Sequence, residues 1–109
     1  MAYDEALAGR VRDCLKGRAG VAEKKMFGGL AFLLRGKMFL GVLGRDLMVR
    51  VGPEVYERAL AQPHVRPMDF TGRPMKGYVF VGPKGCATKR ALAPWLARSL
   101  EFAASLKRR

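Results

Sequence analysis

The sequence predicts a two-layer α+β domain, in which three helices pack on an antiparallel five-stranded sheet in the order α-β-β-β-α-β-β-α. Three observations lead to this prediction. An amphipathic helical pattern lies at each end of the chain, three short apolar runs are joined by glycine-containing turns, and a helix followed by two strands comes after them. With 109 residues, 50% of them hydrophobic, the chain has room for a single domain with one core over residues 1–109.

The first half of the chain reads as one helix and a three-stranded meander. The helix is predicted from Tyr3 to Lys16, where apolar residues recur at helical spacing, and Gly17 ends the pattern. Gly28 and Gly29 interrupt the first strand and predict a bulge or a bend there. Glycine-containing turns of the length that joins antiparallel strands separate the three predicted strands, which cover 22–34, 38–43 and 47–51.

A short helix and two strands are predicted next. Proline is favoured at the first helical position, so a helix should begin at Pro53 and run to about Ala61. The following strand, 65–70, contains Pro67 and is therefore expected at a sheet edge, because proline cannot donate a hydrogen bond to a neighbouring strand. The run 77–81 is a strand of tyrosine, valine and phenylalanine.

The last helix is predicted from an N-cap at Thr88 to about Lys107. Proline in a helix interior costs about 3 kcal/mol, so Pro94 predicts that a short first turn ends and a second helical piece begins there. The cations of 107–109 either complement the C-terminus of this helix or form a basic nucleic-acid-binding tail.

Both faces of the meander carry apolar side chains. Strict alternation puts Leu40 and Val42 on one face and Phe39 and Leu43 on the other. If the helices cover only one face, the other face is an interface for a homodimer or another protein partner. Alternatively, the two terminal helices cover opposite faces and bury everything. The predicted interface residues are Leu33, Phe39, Leu43 and Met48.

The charge balance is strongly basic. Twenty-one Lys and Arg residues against nine Asp and Glu residues give a net charge of +12, which favours polyanionic partners such as nucleic acid. The alternative is an arginine-rich solvated surface, because the cations are scattered along the chain. Cations in turns and at helix starts would contact phosphates without reading bases, and the candidates are Lys24, Lys25, Arg35, Lys37, Arg73, Lys76, Lys84, Lys89 and Arg90.

Several classes of protein are disfavoured. No apolar run approaches the roughly 20 residues of a membrane span, and Asp4 and Glu5 lie where a signal peptide would be basic and then apolar, so we expect a cytoplasmic protein with no membrane partner. Cys14 is expected to be buried on the first helix and Cys86 to be exposed in a loop, and a disulfide between them is not expected. A single histidine and two separated cysteines predict no metal site, and we expect no cofactor.

One cluster contains residue types that catalyse reactions. His64, Asp69 and Arg73 could serve as a base, an orienting carboxylate and an anion-binding group. Alternatively, Asp69 caps the turn before Gly72 and pairs with Arg73, which is the interpretation we favour because no nucleophile motif accompanies the cluster. We therefore expect a protein that is not an enzyme and has no catalytic residues.

The motifs KMFGGLAF (25–32), GKMF (36–39), LMVRV (47–51) and PHVRPMDFTGRPMKGY (63–78), followed by Trp95, resemble the TfoX/Sxy N-terminal domain family over residues 5–106. The resemblance implies a bacterial protein, a secretion-chaperone-like fold and a relation to regulators of natural competence genes. Those regulators carry a second, C-terminal domain associated with DNA binding, which is not in this chain. We therefore expect a stand-alone regulatory or adaptor domain that acts by protein–protein interaction, in transcription regulation related to competence. The alternative is a domain that binds nucleic acid independently of sequence through its strongly basic surface.

Overall fold

The computed structural model describes residues 3–26, 28–67 and 77–106, within which three α-helices accompany one antiparallel sheet. The sheet has six strands in the order β1-β2-β3-β4-β6-β5, so the α+β class is confirmed but the predicted number of strands was one too few. The elements are α1 (Glu5–Leu15), β1 (Val21–Met26), β2 (Gly29–Leu34), β3 (Lys37–Leu43), β4 (Asp46–Arg50), α2 (Tyr56–Leu60), β5 (Val65–Pro67), β6 (Tyr78–Val81) and α3 (Lys89–Leu106), with a 3-10 turn at Pro83–Gly85.

The additional strand comes from the segment that was predicted as one interrupted strand. It is a hairpin in which β1 and β2 pair antiparallel, with Met26 opposite Gly29. Gly28, in the connection, has a φ of 74°, which glycine adopts without steric cost. The prediction of a bulge at this glycine pair was wrong, since the chain reverses there instead of bending.

Helix α1 begins at a side-chain cap. Asp4 has extended backbone geometry, and its Oδ1 accepts hydrogen bonds from the backbone N–H groups of Ala6 (2.9 Å) and Leu7 (3.3 Å). These bonds satisfy two of the donors that a helix N-terminus leaves without an intrahelical partner. The buried residues of the helix, Leu7, Ala8, Val11 and Leu15, belong to the hydrophobic core.

Substituting Asp4 by alanine is expected to lower the free energy of unfolding by about 1 kcal/mol, because the two N–H groups lose their acceptor. Equilibrium unfolding in urea measures the loss. The Asp4→Asn variant keeps an acceptor oxygen and should stay close to wild type. An equal loss in both variants would contradict the capping role.

The two prolines of the second half behave differently from each other. Pro67 lies in β5, which forms an edge of the sheet, as predicted. Pro94, by contrast, lies inside an uninterrupted α3 that starts after Thr88, whose Oγ1 accepts the N–H of Ala91 at 3.1 Å. The Thr88 cap is confirmed and the predicted break is wrong. Pro94 is exposed, so water can solvate the carbonyl it leaves unpaired, while the flanking Leu92 and Trp95 are held in the core.

The core lies between the helices and one face of the sheet. Buried residues of all three helices form one cluster with alternate strand residues such as Leu40, Val42, Val49 and Val79. The two-layer arrangement predicted from the sequence therefore describes the observed packing.

Phe39 belongs to this core, contrary to the sequence prediction. The register between β2 and β3 shifts after Phe32, which pairs with Leu40, whereas Leu33 pairs with Met38. Phe39 is the extra residue of this β-bulge, and it is 0% exposed within the core cluster. A bulge inserts one residue and re-aims a side chain, so strict alternation fails at this point.

The predicted apolar interface is correspondingly smaller than expected. Met48 is 1% exposed, with its Cε close to the backbone of Gly41, and Phe39 is in the core. Leu33 and Leu43 are half-buried. The expectation that all four side chains remain uncovered was wrong, because two of them are buried within the chain itself.

Candidate nucleic-acid interface

Two of the nine predicted nucleic-acid-binding cations lie together at one cleft. The cleft has a volume of about 410 Å³ and lies between the segment after α1, the β2–β3 turn and the C-terminal part of α3. Arg35 and Lys37 line it, and Arg18, which the sequence analysis did not single out, is the third cation. We call this cavity the basic cleft, and its remaining lining residues are Ala19, Leu34, Ala103 and Ala104.

Backbone contacts of the loop after α1 bring Arg18 and Arg35 together. The N–H of Arg35 donates to the carbonyl of Gly20 at 2.8 Å, and the N–H of Arg18 donates to the carbonyl of Leu15 at 3.0 Å. A Cβ on Gly20 would lie 3.2 Å from Cγ of Arg35, so glycine allows the arginine side chain to pack against the loop. Arg35 itself has a φ of 51°, an uncommon conformation for a residue other than glycine.

The electrostatics of the basic cleft favour an anion. No Asp or Glu is among the described residues that line it, and its three cations are exposed. Within the described ranges, none of the three forms an ion pair or a side-chain hydrogen bond. Unpaired guanidinium and ammonium groups converging on one cavity are suited to bind phosphate oxygens.

Two other surface arginines are already paired with acidic side chains. Arg12 bonds Glu23 at 2.8 Å, and Arg66 bonds Asp46 at 2.6 Å while lying 4.8 Å from the centre of the Phe80 ring. These hydrogen bonds raise the pKa of both arginines above the ordinary value. The cleft cations therefore differ from Arg12 and Arg66 in having no acidic partner among the described residues.

The remaining candidate cations are scattered. Lys24 and Lys25 are exposed on β1, a sheet edge where charged side chains also discourage aggregation. Lys89 pairs with Asp13 across α1 and α3 at 3.3 Å, and Arg90 is exposed on the first turn of α3. Lys84 lies in the 3-10 turn. Arg73 and Lys76 lie outside the described residues.

The candidate catalytic cluster is only partly described. His64, which precedes β5, is exposed, whereas Asp69 and Arg73 lie outside the described residues. In the described ranges, no group of three or more His, Cys, Asp and Glu side chains is placed to hold a metal ion.

The two cysteines have environments opposite to those predicted. Cys14 is exposed and Cys86 is 0% exposed, and both are free thiols. The Cys86 Sγ donates a hydrogen bond to the carbonyl of Gly82 at 3.4 Å. Burial, opposed in part by the charge of Arg10, raises the pKa of the Cys86 thiol to about 11, so it stays protonated and unreactive at neutral pH.

Comparison with known proteins agrees with the sequence motifs. A model of the TfoX N-terminal domain matches residues 13–103, which is most of the chain. The chain belongs to the TfoX N-terminal domain family. Neither the curated proteins nor the solved structures contained a match. In the part of this TfoX N-terminal domain that the structure describes, no helix combines the length and the apolar composition of a membrane span.

Proposed function

We propose that this TfoX N-terminal domain is a non-enzymatic, cytoplasmic regulatory domain that binds nucleic acid through phosphate groups, without reading base sequence. The observation that carries the proposal is the convergence of Arg18, Arg35 and Lys37 on one cleft without a carboxylate. A role in transcription regulation related to competence would be compatible with such a contact.

The physical basis is counterion release. Each phosphate neutralised by a cation frees condensed counterions, so the logarithm of affinity falls with the logarithm of salt concentration, with a slope of about −0.9 per contact on duplex DNA. Three contacts correspond to a slope of about −2.7, or roughly 40-fold weaker binding between about 50 and 200 mM salt. The net charge of +12 adds long-range attraction that brings the polyanion to the surface.

Replacing Arg18, Arg35 and Lys37 together by glutamine is expected to weaken binding to a short labelled duplex more than tenfold at low salt, and to flatten the salt slope. Fluorescence anisotropy across a salt series measures both quantities. The matched control replaces Lys24, Arg45 and Arg90, three exposed cations outside the cleft, by glutamine and changes the net charge equally. The control variant should lose less than threefold in affinity for the duplex.

Either of two results would overturn the proposal. Equal losses in the two triple variants would mean that charge alone attracts the duplex and that the basic cleft has no special role. Absence of wild-type binding at low salt, to duplex and to single strands alike, would remove nucleic acid as a ligand of this domain.

The second candidate is an adaptor that acts by protein–protein contact, including contact with a second copy of itself. A groove of about 610 Å³ between α2 and α3 favours it. The groove combines apolar side chains such as Val55 and Phe102 with charges of both signs, Arg58 and Glu101 among them, as protein contact surfaces do. Binding through apolar burial is insensitive to salt, so a salt series distinguishes this candidate from the first.

A further inference from the structure

A cavity of about 350 Å³, which we call the His64 pocket, lies beside the N-terminal half of α3. It adjoins the 610 Å³ groove between α2 and α3 and shares Gln62 and Arg98 with it. Residues 62–64, which connect α2 to β5, line the pocket together with the 3-10 turn and α3. At 100° per residue, the α3 residues that line it, Ala91 to Arg98, lie on the side of the helix opposite to Ala103 and Ala104 of the basic cleft. The two cavities are therefore distinct sites.

Backbone contacts fix the position of His64 at this pocket. Its φ is 66°, and among the described residues other than glycine only Arg35 shares such a positive value. The carbonyl of His64 accepts a hydrogen bond from the N–H of Gly82 at 2.7 Å. A Cβ added to Gly85 would lie 3.1 Å from the Cβ of His64. Uncommon backbone conformations that surrounding contacts enforce occur preferentially at functional sites.

The pocket is lined by donors without a compensating acid. His64, Lys84 and Arg98 line it, Gln62 adds an amide, and no Asp or Glu is among the described residues that line it. Arg98 also borders the adjoining groove, which contains Glu54 and Glu101. The Arg98 guanidinium lies 5.3 Å from the centre of the Trp95 ring, and this stacking holds the planar group against the helix. In the described ranges, the side chains of His64, Lys84 and Arg98 have no ion pair and no side-chain hydrogen bond, so their donors are available to a ligand.

We propose that the His64 pocket binds a small phosphorylated molecule. Arg98 offers a bidentate fork to two phosphate oxygens, Lys84 adds a point charge, and the imidazole of His64 supplies a third donor. The volume is at the lower end of the range for small-molecule sites, which suits a sugar phosphate better than a dinucleotide. This site does not depend on nucleic-acid binding at the basic cleft.

Titration of the isotope-labelled protein with ribose 5-phosphate, followed by backbone amide NMR, tests the proposal. Shifts should concentrate at the amides of Gln62, His64, Lys84, Gly85 and 95–98. The Arg98→Gln variant should bind at least tenfold more weakly, and Lys84→Gln, in an exposed turn, should weaken binding several-fold. The control Arg90→Gln removes a cation from the same helix outside the pocket and should leave the affinity unchanged.

Three results would overturn the proposal. Ribose could shift the same amide signals as strongly as ribose 5-phosphate, which would mean that the pocket does not recognise the phosphate group. Ribonate, which has a carboxylate at C1 and no phosphate, could bind as tightly or more tightly, which would change the ligand class. Loss of binding in Arg35→Gln, with Arg98→Gln and Lys84→Gln unchanged, would assign the ligand to the basic cleft instead.

Discussion

Replacing Phe39 by alanine is expected to destabilise the domain by about 3–5 kcal/mol, the usual cost of deleting a fully buried aromatic side chain. The residue is 0% exposed and packs within the core between the sheet and the helices. A domain of this size is commonly stable by about 5–15 kcal/mol, so the variant loses a large part of its total stability. Urea unfolding followed by circular dichroism gives the difference, and the thermal midpoint should fall by more than about 10 °C.

The control for Phe39→Ala is Leu43→Ala on the same strand. Leu43 is half-buried, so its truncation should cost only about 1 kcal/mol. If Phe39→Ala were as mild as Leu43→Ala, the aromatic ring would not be in the core. Strict alternation along β3 would then hold, and the predicted apolar interface would regain Phe39.

The case of Phe39 shows what a strand pattern can and cannot reveal. All but the first residue of β3 are apolar or glycine, so alternation within the strand contains no signal that separates a regular strand from a bulged one. The bulge is defined by pairing with β2, where Phe32 and Leu33 face residues two apart. Such a register depends on the partner strand, and a single strand's sequence does not specify it.

Local signals predicted most of the remaining elements. The helical spacing of α1, the Thr88 cap and the edge position of Pro67 all follow from residues close in sequence, and the structure confirms them. The missing strand could have been recognised from Glu23, Lys24 and Lys25, whose polarity suits an exposed edge strand better than the start of a buried one. Pro94 shows the opposite case, in which packing of its apolar neighbours overrides a local preference.

The candidate site was only partly predictable for a similar reason. Arg35 and Lys37 belong to one tight turn, so their proximity is evident from sequence. Arg18 comes from a different turn and joins them only because Gly20 and Arg35 share a backbone hydrogen bond. The glycines at 17 and 20, both with positive φ, were the available signal that this loop is tightly turned.

Replacing Gly29 by alanine is expected to destabilise the domain by about 3 kcal/mol, the upper end of the usual cost of overpacking. A Cβ at this position would collide with the carbonyl oxygen of Val42 and lie 2.9 Å from Cδ2 of Leu43. The oxygen belongs to the backbone of β3, which pairs with β2 through Leu30 and Val42, so it cannot rotate away as a side chain would. Strands β2 and β3 must separate locally to admit one methyl group. Urea unfolding measures the cost.

The matched control is Gly9→Ala, which makes the same chemical change at a position where we expect stability to rise instead of fall. Gly9 lies within α1, and no heavy atom lies within 4 Å of the Cβ that alanine would add. Alanine is favoured over glycine in a helix interior, so this variant should be more stable by about 0.5–1 kcal/mol. Because both substitutions restrict the unfolded chain alike, the difference between them isolates the collision at Val42 in the folded state. If the two variants were equally stable, β2 and β3 would separate at Gly29 at little energetic cost. The pairing of β2 with β3 would then not require glycine at this position.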